Sequence, residues 1–143
     1  MKKENPWLWV PTLYFAEGIP YFIVNNISLV MFKNMGMPNG MLAFYTSLLY
    51  LPWVIKPLWS PFVDIIKTKR WWILTMQILM SAAMLLLPFL LPQESGEAIS
   101  SSPLFFVTLI IFWITAFASA THDIAADGFY MLGLNTNKQA EFV

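Results

Sequence analysis

Four long apolar runs, at residues 7–32, 41–63, 71–91 and 103–132, constrain the fold of this chain more than any other feature. A helix needs about 20 apolar residues to cross the hydrocarbon core of a bilayer, and each run meets that length. Because backbone polar groups in lipid must be satisfied internally, a single run can cross only as a helix. The chain is also 58% hydrophobic and only 11% charged. We predict an all-α integral membrane protein with four transmembrane helices in contact with the lipid bilayer.

The basic residues fall almost entirely on one side of these runs. Lys33 lies in a loop on the opposite side. The side with more basic residues carries Lys2, Lys3, Lys67, Lys69, Arg70 and Lys138. Because basic loops remain in the cytoplasm, we predict that both termini are cytoplasmic and that this is a multi-pass protein of the cytoplasmic (inner) membrane. The net charge of zero gives no electrostatic basis for binding a nucleic acid.

The first run contains an acidic residue near its middle. Glu17 lies about 15 Å into the run at a helical rise of ~1.5 Å per residue. A charge at that depth is costly and marks a substrate or proton path in many membrane proteins. Steps of three and four residues place Tyr14, Tyr21, Asn25 and Ser28 on the same helical face. This polar stripe predicts a substrate or proton path, and the alternative is a structural stripe that hydrogen-bonds neighbouring helices.

The fourth run ends in a second polar cluster. Ser119, Asp123 and Asp127 are four residues apart and share one face, with His122 beside them. We predict that this cluster belongs to the same substrate or proton path. Interfacial capping and hydrogen bonds between helices are the alternative. Counting from the start of the run puts Asp123 about 30 Å along it, and Glu17 some 15 Å away along the membrane normal. We therefore expect no metal site.

Charged residues at the end of the second run suggest a gate. Lys56 lies inside the span, where it either faces the interior and meets an anionic substrate or an acid of another helix, or extends its stem toward the interface. Asp64, Lys67, Lys69 and Arg70 follow at the cytoplasmic end. We predict that these four residues form a cytoplasmic gate with the acids of the fourth run.

The third run differs from the others because it is nearly all apolar. Its polar side chains are Thr75, Gln77 and Ser81. We therefore expect the third helix to face lipid, and the first and fourth helices to line the interior.

Three segments resemble one known family. They are YFAEGIP at residues 14–20, LPWVIKPLWSPFVD at 51–64 and ATHDIAADG at 120–128. They are similar to the first, second and fourth helix signatures of the AmpG-like branch of the major facilitator superfamily, which includes muropeptide permeases and acetyl-coenzyme A transporters. The resemblance implies a fold of about twelve helices in two halves, built from inverted three-helix repeats. Residues 1–143 would be the first four helices of the amino-terminal half, with the remaining helices of the same protein as their packing partners.

Two classes of function follow from these observations. The first is a secondary transporter that moves a small polar or anionic solute by alternating access, driven by a proton gradient and without a bound cofactor. The second is a small four-helix membrane assembly or scaffold protein whose polar groups only join helices. The sequence contains no Gly-rich phosphate loop, Ser/His/Asp arrangement or nucleophile motif, so we do not expect an enzyme.

Overall fold

The computed structural model describes residues 5–142, so Lys2 and Lys3 of the predicted topology lie outside the described residues. All the regular structure within that range is helical. The helices are α1 at Pro6–Asn34, α2 at Asn39–Leu58, α3 at Ser60–Ile65, α4 at Lys69–Phe89, α5 at Pro103–Gly133 and α6 at Thr136–Gln139. Four of them, α1, α2, α4 and α5, are long and apolar enough to span a membrane. The prediction of an all-α protein with four spanning helices is confirmed.

Local sequence signals determine where the helices begin. The side chain of Asn5 accepts a hydrogen bond from the backbone N–H of Trp7 at 3.2 Å and so caps α1. Thr68 caps α4 in the same way, because its hydroxyl accepts from the N–H of Trp71 at 3.2 Å. Pro103 begins α5, at a position where its missing N–H costs no hydrogen bond.

The second apolar run is the one whose helix differs from the sequence-based bounds. We expected one helix over residues 41–63, but α2 ends in a 3₁₀ turn at Lys56–Leu58 and the short α3 begins at Ser60. Pro57 and Pro61 explain the interruption, since proline donates no hydrogen bond and its ring clashes with the preceding turn. Lys56 lies in the 3₁₀ turn at this break.

The fourth spanning helix, α5, is the centre of the bundle. Within its most apolar stretch 56% of the residues are buried, against 17% in each of the other three spanning helices. It packs against α1, α2 and α4, and its contact with α4 is the most extensive in the structure. One apolar cluster around Phe32, Leu49 and Phe112 fills the bundle on one side of the polar residues of α5. A smaller cluster around Val63 and Ala125 lies at the level of those residues.

The third spanning helix, α4, has two different faces. Ile78 and Leu85 are exposed, as expected for residues in contact with lipid. Met80 and Ala83 are buried on the opposite side, where α4 packs along α5. The expectation that this helix faces lipid is therefore wrong for the face that packs along α5 and stays a prediction for the exposed face.

Candidate functional site

Three carboxylates from two helices meet inside the bundle. Oxygen atoms of Glu17 on α1 and of Asp123 and Asp127 on α5 all lie within 4.8 Å of one another. Each of the three residues is half-buried. The expected separation of some 15 Å between Glu17 and the acids of the fourth run is therefore wrong.

The length of α5 explains that error. At ~1.5 Å per residue its 31 residues extend about 46 Å, well beyond the ~30 Å hydrocarbon core. Asp123 lies ten residues, or about 15 Å, before the end of α5 at Gly133. Glu17 lies eleven residues, or about 16 Å, after the start of α1 at Pro6. Because these two helix ends are on the same side of the bundle, the acids share one depth.

An ion pair connects this acid cluster to the second spanning helix. Lys56 donates from Nζ to Oδ2 of Asp123. The side chain of Asp123 is 15% exposed and that of Lys56 is 35% exposed, so the pair is partly desolvated. Lys56 lies in the 3₁₀ turn at the end of α2. Lys56 was expected either to face the interior or to extend its stem toward the membrane interface. In the structure it faces the interior, where it meets an acid of another helix.

The other two acids have different partners. The hydroxyl of Tyr14 donates to Asp127 at 3.0 Å, and the Tyr14 ring packs edge-on against Tyr130 at 5.9 Å. Atom Oε2 of Glu17 is buried and has no hydrogen-bond partner among residues 5–142. Three carboxylates thus face one ammonium group and one phenol, which leaves Glu17 as the acid best placed to bind a proton.

The three acids are also the residues that could hold a metal ion, since carboxylate oxygens are ligands of hard cations. Lys56 and Tyr14 already bind Asp123 and Asp127, respectively. A cation would have to displace both of these donors. We therefore propose no metal site here.

His122 is directed toward a different helix. It is fully buried, and its Nε2 lies 3.2 Å from Nε2 of Gln77 on α4. Its Nδ1 has no partner within the described part of the chain. Ser119, one turn earlier, is also buried. The sequence analysis noted Gln77 but expected its helix to face lipid, so it missed the contact between Gln77 and the polar segment of α5.

The polar stripe of α1 divides into two parts. Tyr14 and Glu17 belong to the acid cluster described above. Farther along, the side-chain amide of Asn25 donates to the backbone oxygen of Tyr21 at 3.0 Å, and the buried Ser28 hydroxyl bonds a carbonyl of its own helix. Tyr21 is 40% exposed and packs edge-on against Trp53. The side chains of Asn25 and Ser28 thus bond their own helix and not a neighbouring helix, which the structural alternative required.

The loop between α3 and α4 holds its own ion pair. Lys69 donates to Asp64 and also lies 3.4 Å from the carbonyl oxygen of Val63. Lys67 has a φ of 64°, a left-handed conformation that turns the chain into α4. Arg70 faces a cleft beside α1. Among the described residues, no ion pair joins this loop to the acids of α5.

Comparisons with known proteins agree with a membrane function. Residues 17–141 match the model of the BT1 family. An uncharacterized protein of Schizosaccharomyces pombe is 28% identical over 141 residues. That alignment covers 94% of this chain but 26% of the yeast protein, so the chain spans about a quarter of its relative. No solved structure matches this chain. The match over most of its length shows that the chain belongs to the BT1 family, a family of membrane transporters.

Proposed function

We propose that this chain is the amino-terminal part of a secondary active transporter of the major facilitator type. It moves a small polar or anionic solute by alternating access, and it couples that movement to a proton gradient. The resemblance to the AmpG-like branch makes muropeptide-like and acyl-coenzyme A-like solutes the candidates. The observation that supports this proposal best is the cluster of Glu17, Asp123 and Asp127 beside Lys56 within the spanning helices.

The ion pair offers a physical route to coupling. An anionic group of the substrate that binds Lys56 would compete with Asp123 for the same ammonium group. Asp123 would then be an unpaired carboxylate beside Glu17, which is costly in a low-dielectric interior. A proton on either acid removes that cost, so the anion and the proton bind better together than apart. This mutual preference is what a proton-coupled symporter requires.

In this mechanism Glu17 takes its proton from the outward-facing cavity. The proton then leaves toward the cytoplasm by way of Asp123 or His122. The loop residues Asp64, Lys67, Lys69 and Arg70, together with Asp127, would form the cytoplasmic gate. Among the described residues no ion pair joins these gate residues to the acids of α5, and we propose that one forms in the outward-facing state.

Replacing Glu17 by Gln in the full-length protein tests the coupling. The variant keeps a polar side chain but cannot exchange a proton, so solute counterflow should remain while accumulation driven by a pH gradient is lost. Glu97→Gln is the matched control, because Glu97 is an exposed acid in the loop between α4 and α5 and should leave both activities intact. If the Glu17→Gln protein still concentrates solute against a gradient, Glu17 has a structural role.

A second candidate is a membrane assembly or scaffold protein without transport activity. Hydrogen bonds between helices favour it, namely Tyr14 to Asp127 and the contact of Gln77 with His122. These bonds would join helices even if nothing were transported. Solute flux in vesicles separates the two functions, because a scaffold would produce none in the wild type or in any variant.

A further inference from the structure

A large cleft opens at the end of the bundle where α1 and α4 begin and α5 ends. Its volume is about 910 Å³. Pro6 and Trp9 line it from α1, Arg70 from α4, and Lys138 from the segment after α5. The acid cluster does not line this cleft, which is therefore a separate feature of the molecule.

The polar part of the cleft is positively charged. Arg70 and Lys138 both line it, and neither has an ion-pair partner among residues 5–142. None of the described lining residues is Asp or Glu. The first residues of α1 and α4 also lie at its mouth, and the partial positive charges of these two helix starts add to the charge of the side chains. The cleft is thus complementary to an anion.

Apart from Thr12, Gln77 and Asn135, the other residues that line the cleft are apolar or glycine, and the cleft lies at the ends of three of the helices that are able to span a membrane. Leu13, Ile73 and Phe129 are among its apolar lining residues, along which a hydrocarbon chain could lie. Trp9 lines its outer part, and tryptophan side chains prefer the headgroup level of a bilayer. A ligand that fits both parts must carry an anionic head and an apolar tail.

We propose that this cleft binds an anionic phospholipid of the cytoplasmic leaflet. Arg70 and Lys138 hold the headgroup phosphate, and an acyl chain lies along Leu13 and Ile73. A basic pocket between spanning helices on the cytoplasmic side is the kind of site at which anionic headgroups bind. The site shares Arg70 with the proposed cytoplasmic gate but contains no residue of the acid cluster, so lipid binding is measured separately from proton-coupled transport.

Spin-labelled lipids in reconstituted vesicles test this proposal on the full-length protein. In phosphatidylcholine vesicles, spin-labelled phosphatidylglycerol should associate with the protein more strongly than spin-labelled phosphatidylcholine. Arg70→Gln and Lys138→Gln should each reduce that preference about fivefold, from the ~1 kcal/mol that a basic residue contributes near an anionic surface. Lys67→Gln is the control, because Lys67 is an exposed cation of the same loop that does not line the cleft.

Three results would overturn the proposal. An equal loss in the Lys67→Gln control would show a general surface attraction. Displacement of the lipid by excess inorganic phosphate would show a site for a soluble anion. A wild-type protein without any preference for phosphatidylglycerol would show that other helices of the longer protein cover the cleft. Each variant is first checked for normal expression and for a single peak in size-exclusion chromatography.

Discussion

The ion pair between Lys56 and Asp123 permits a quantitative prediction for Lys56→Met. Methionine keeps the length of the side chain but leaves the carboxylate of Asp123, which is 15% exposed, without its partner. Breaking a fully buried pair costs about 3–5 kcal/mol, whereas an exposed pair contributes ~0–1 kcal/mol. For this partly buried pair we expect a loss of about 2 kcal/mol in the free energy of unfolding, roughly a thirtyfold change in the equilibrium constant.

A double-mutant cycle in SDS-induced unfolding of the full-length protein measures this coupling. Adding Asp123→Asn to Lys56→Met should recover most of the lost stability, because the second change removes the unpaired charge. The reasoning would be refuted if the two single losses simply add in the double variant. The same proteins should bind an anionic solute more weakly, since both variants with Lys56→Met lack the ammonium group.

Two further predictions concern the loop between α3 and α4. Asp64→Asn removes the partner of Lys69; the Asp64 side chain is 59% exposed and that of Lys69 12% exposed, and a pair open to solvent on one side contributes up to ~1 kcal/mol. The substitution should shift the conformational ratio toward the inward-facing state by up to about fivefold. Labelling from the cytoplasmic side of a single cysteine introduced at position 119, in place of Ser119, measures this shift. If the labelling is unchanged, the loop charges determine only the membrane topology. Gly128→Ala would place a methyl group 2.7 Å from Cε of Lys69, so the lysine must move. We expect the same labelling change as for Asp64→Asn with little loss of stability, and a fully stable protein with unchanged labelling would contradict this.

The spanning helices were predictable because their signal is local. Length and apolar composition define them, and three of the four predicted runs agree with the helices to within about two residues at each end. The second run was the exception, although its prolines were visible in the sequence. A count of apolar residues does not show which proline ends a helix, since Pro52 lies inside α2 while Pro57 lies in the turn that ends it.

The members of the site were predictable, but their arrangement was not. Glu17, Asp123 and Lys56 are conspicuous as charges within apolar runs. Their relative depth depends on which helix ends lie on the same side of the bundle, since Asp123 lies about 15 Å before the end of α5 and Glu17 about 16 Å after the start of α1. The role of Gln77 was missed for a similar reason. Rotation of a helix about its axis decides whether a lone polar residue faces lipid or a neighbour, and the nearly uniform apolar sequence of α4 does not define that rotation.

The polar residues of α5 connect it to every other spanning helix. Asp127 bonds Tyr14 of α1, Asp123 bonds Lys56 of α2, and His122 contacts Gln77 of α4. Rotation of any one helix against α5 must therefore break or exchange a polar contact. A neutral hydrogen bond contributes about 0.5–1.5 kcal/mol and one to a charged group about 1.5–3 kcal/mol, so these three contacts separate alternative packings by several kcal/mol. A free-energy difference of that size keeps one packing dominant in the resting protein, and under the proposed mechanism a bound anion and a proton would reverse it. The cluster is thus strong enough to define a state and weak enough to be switched.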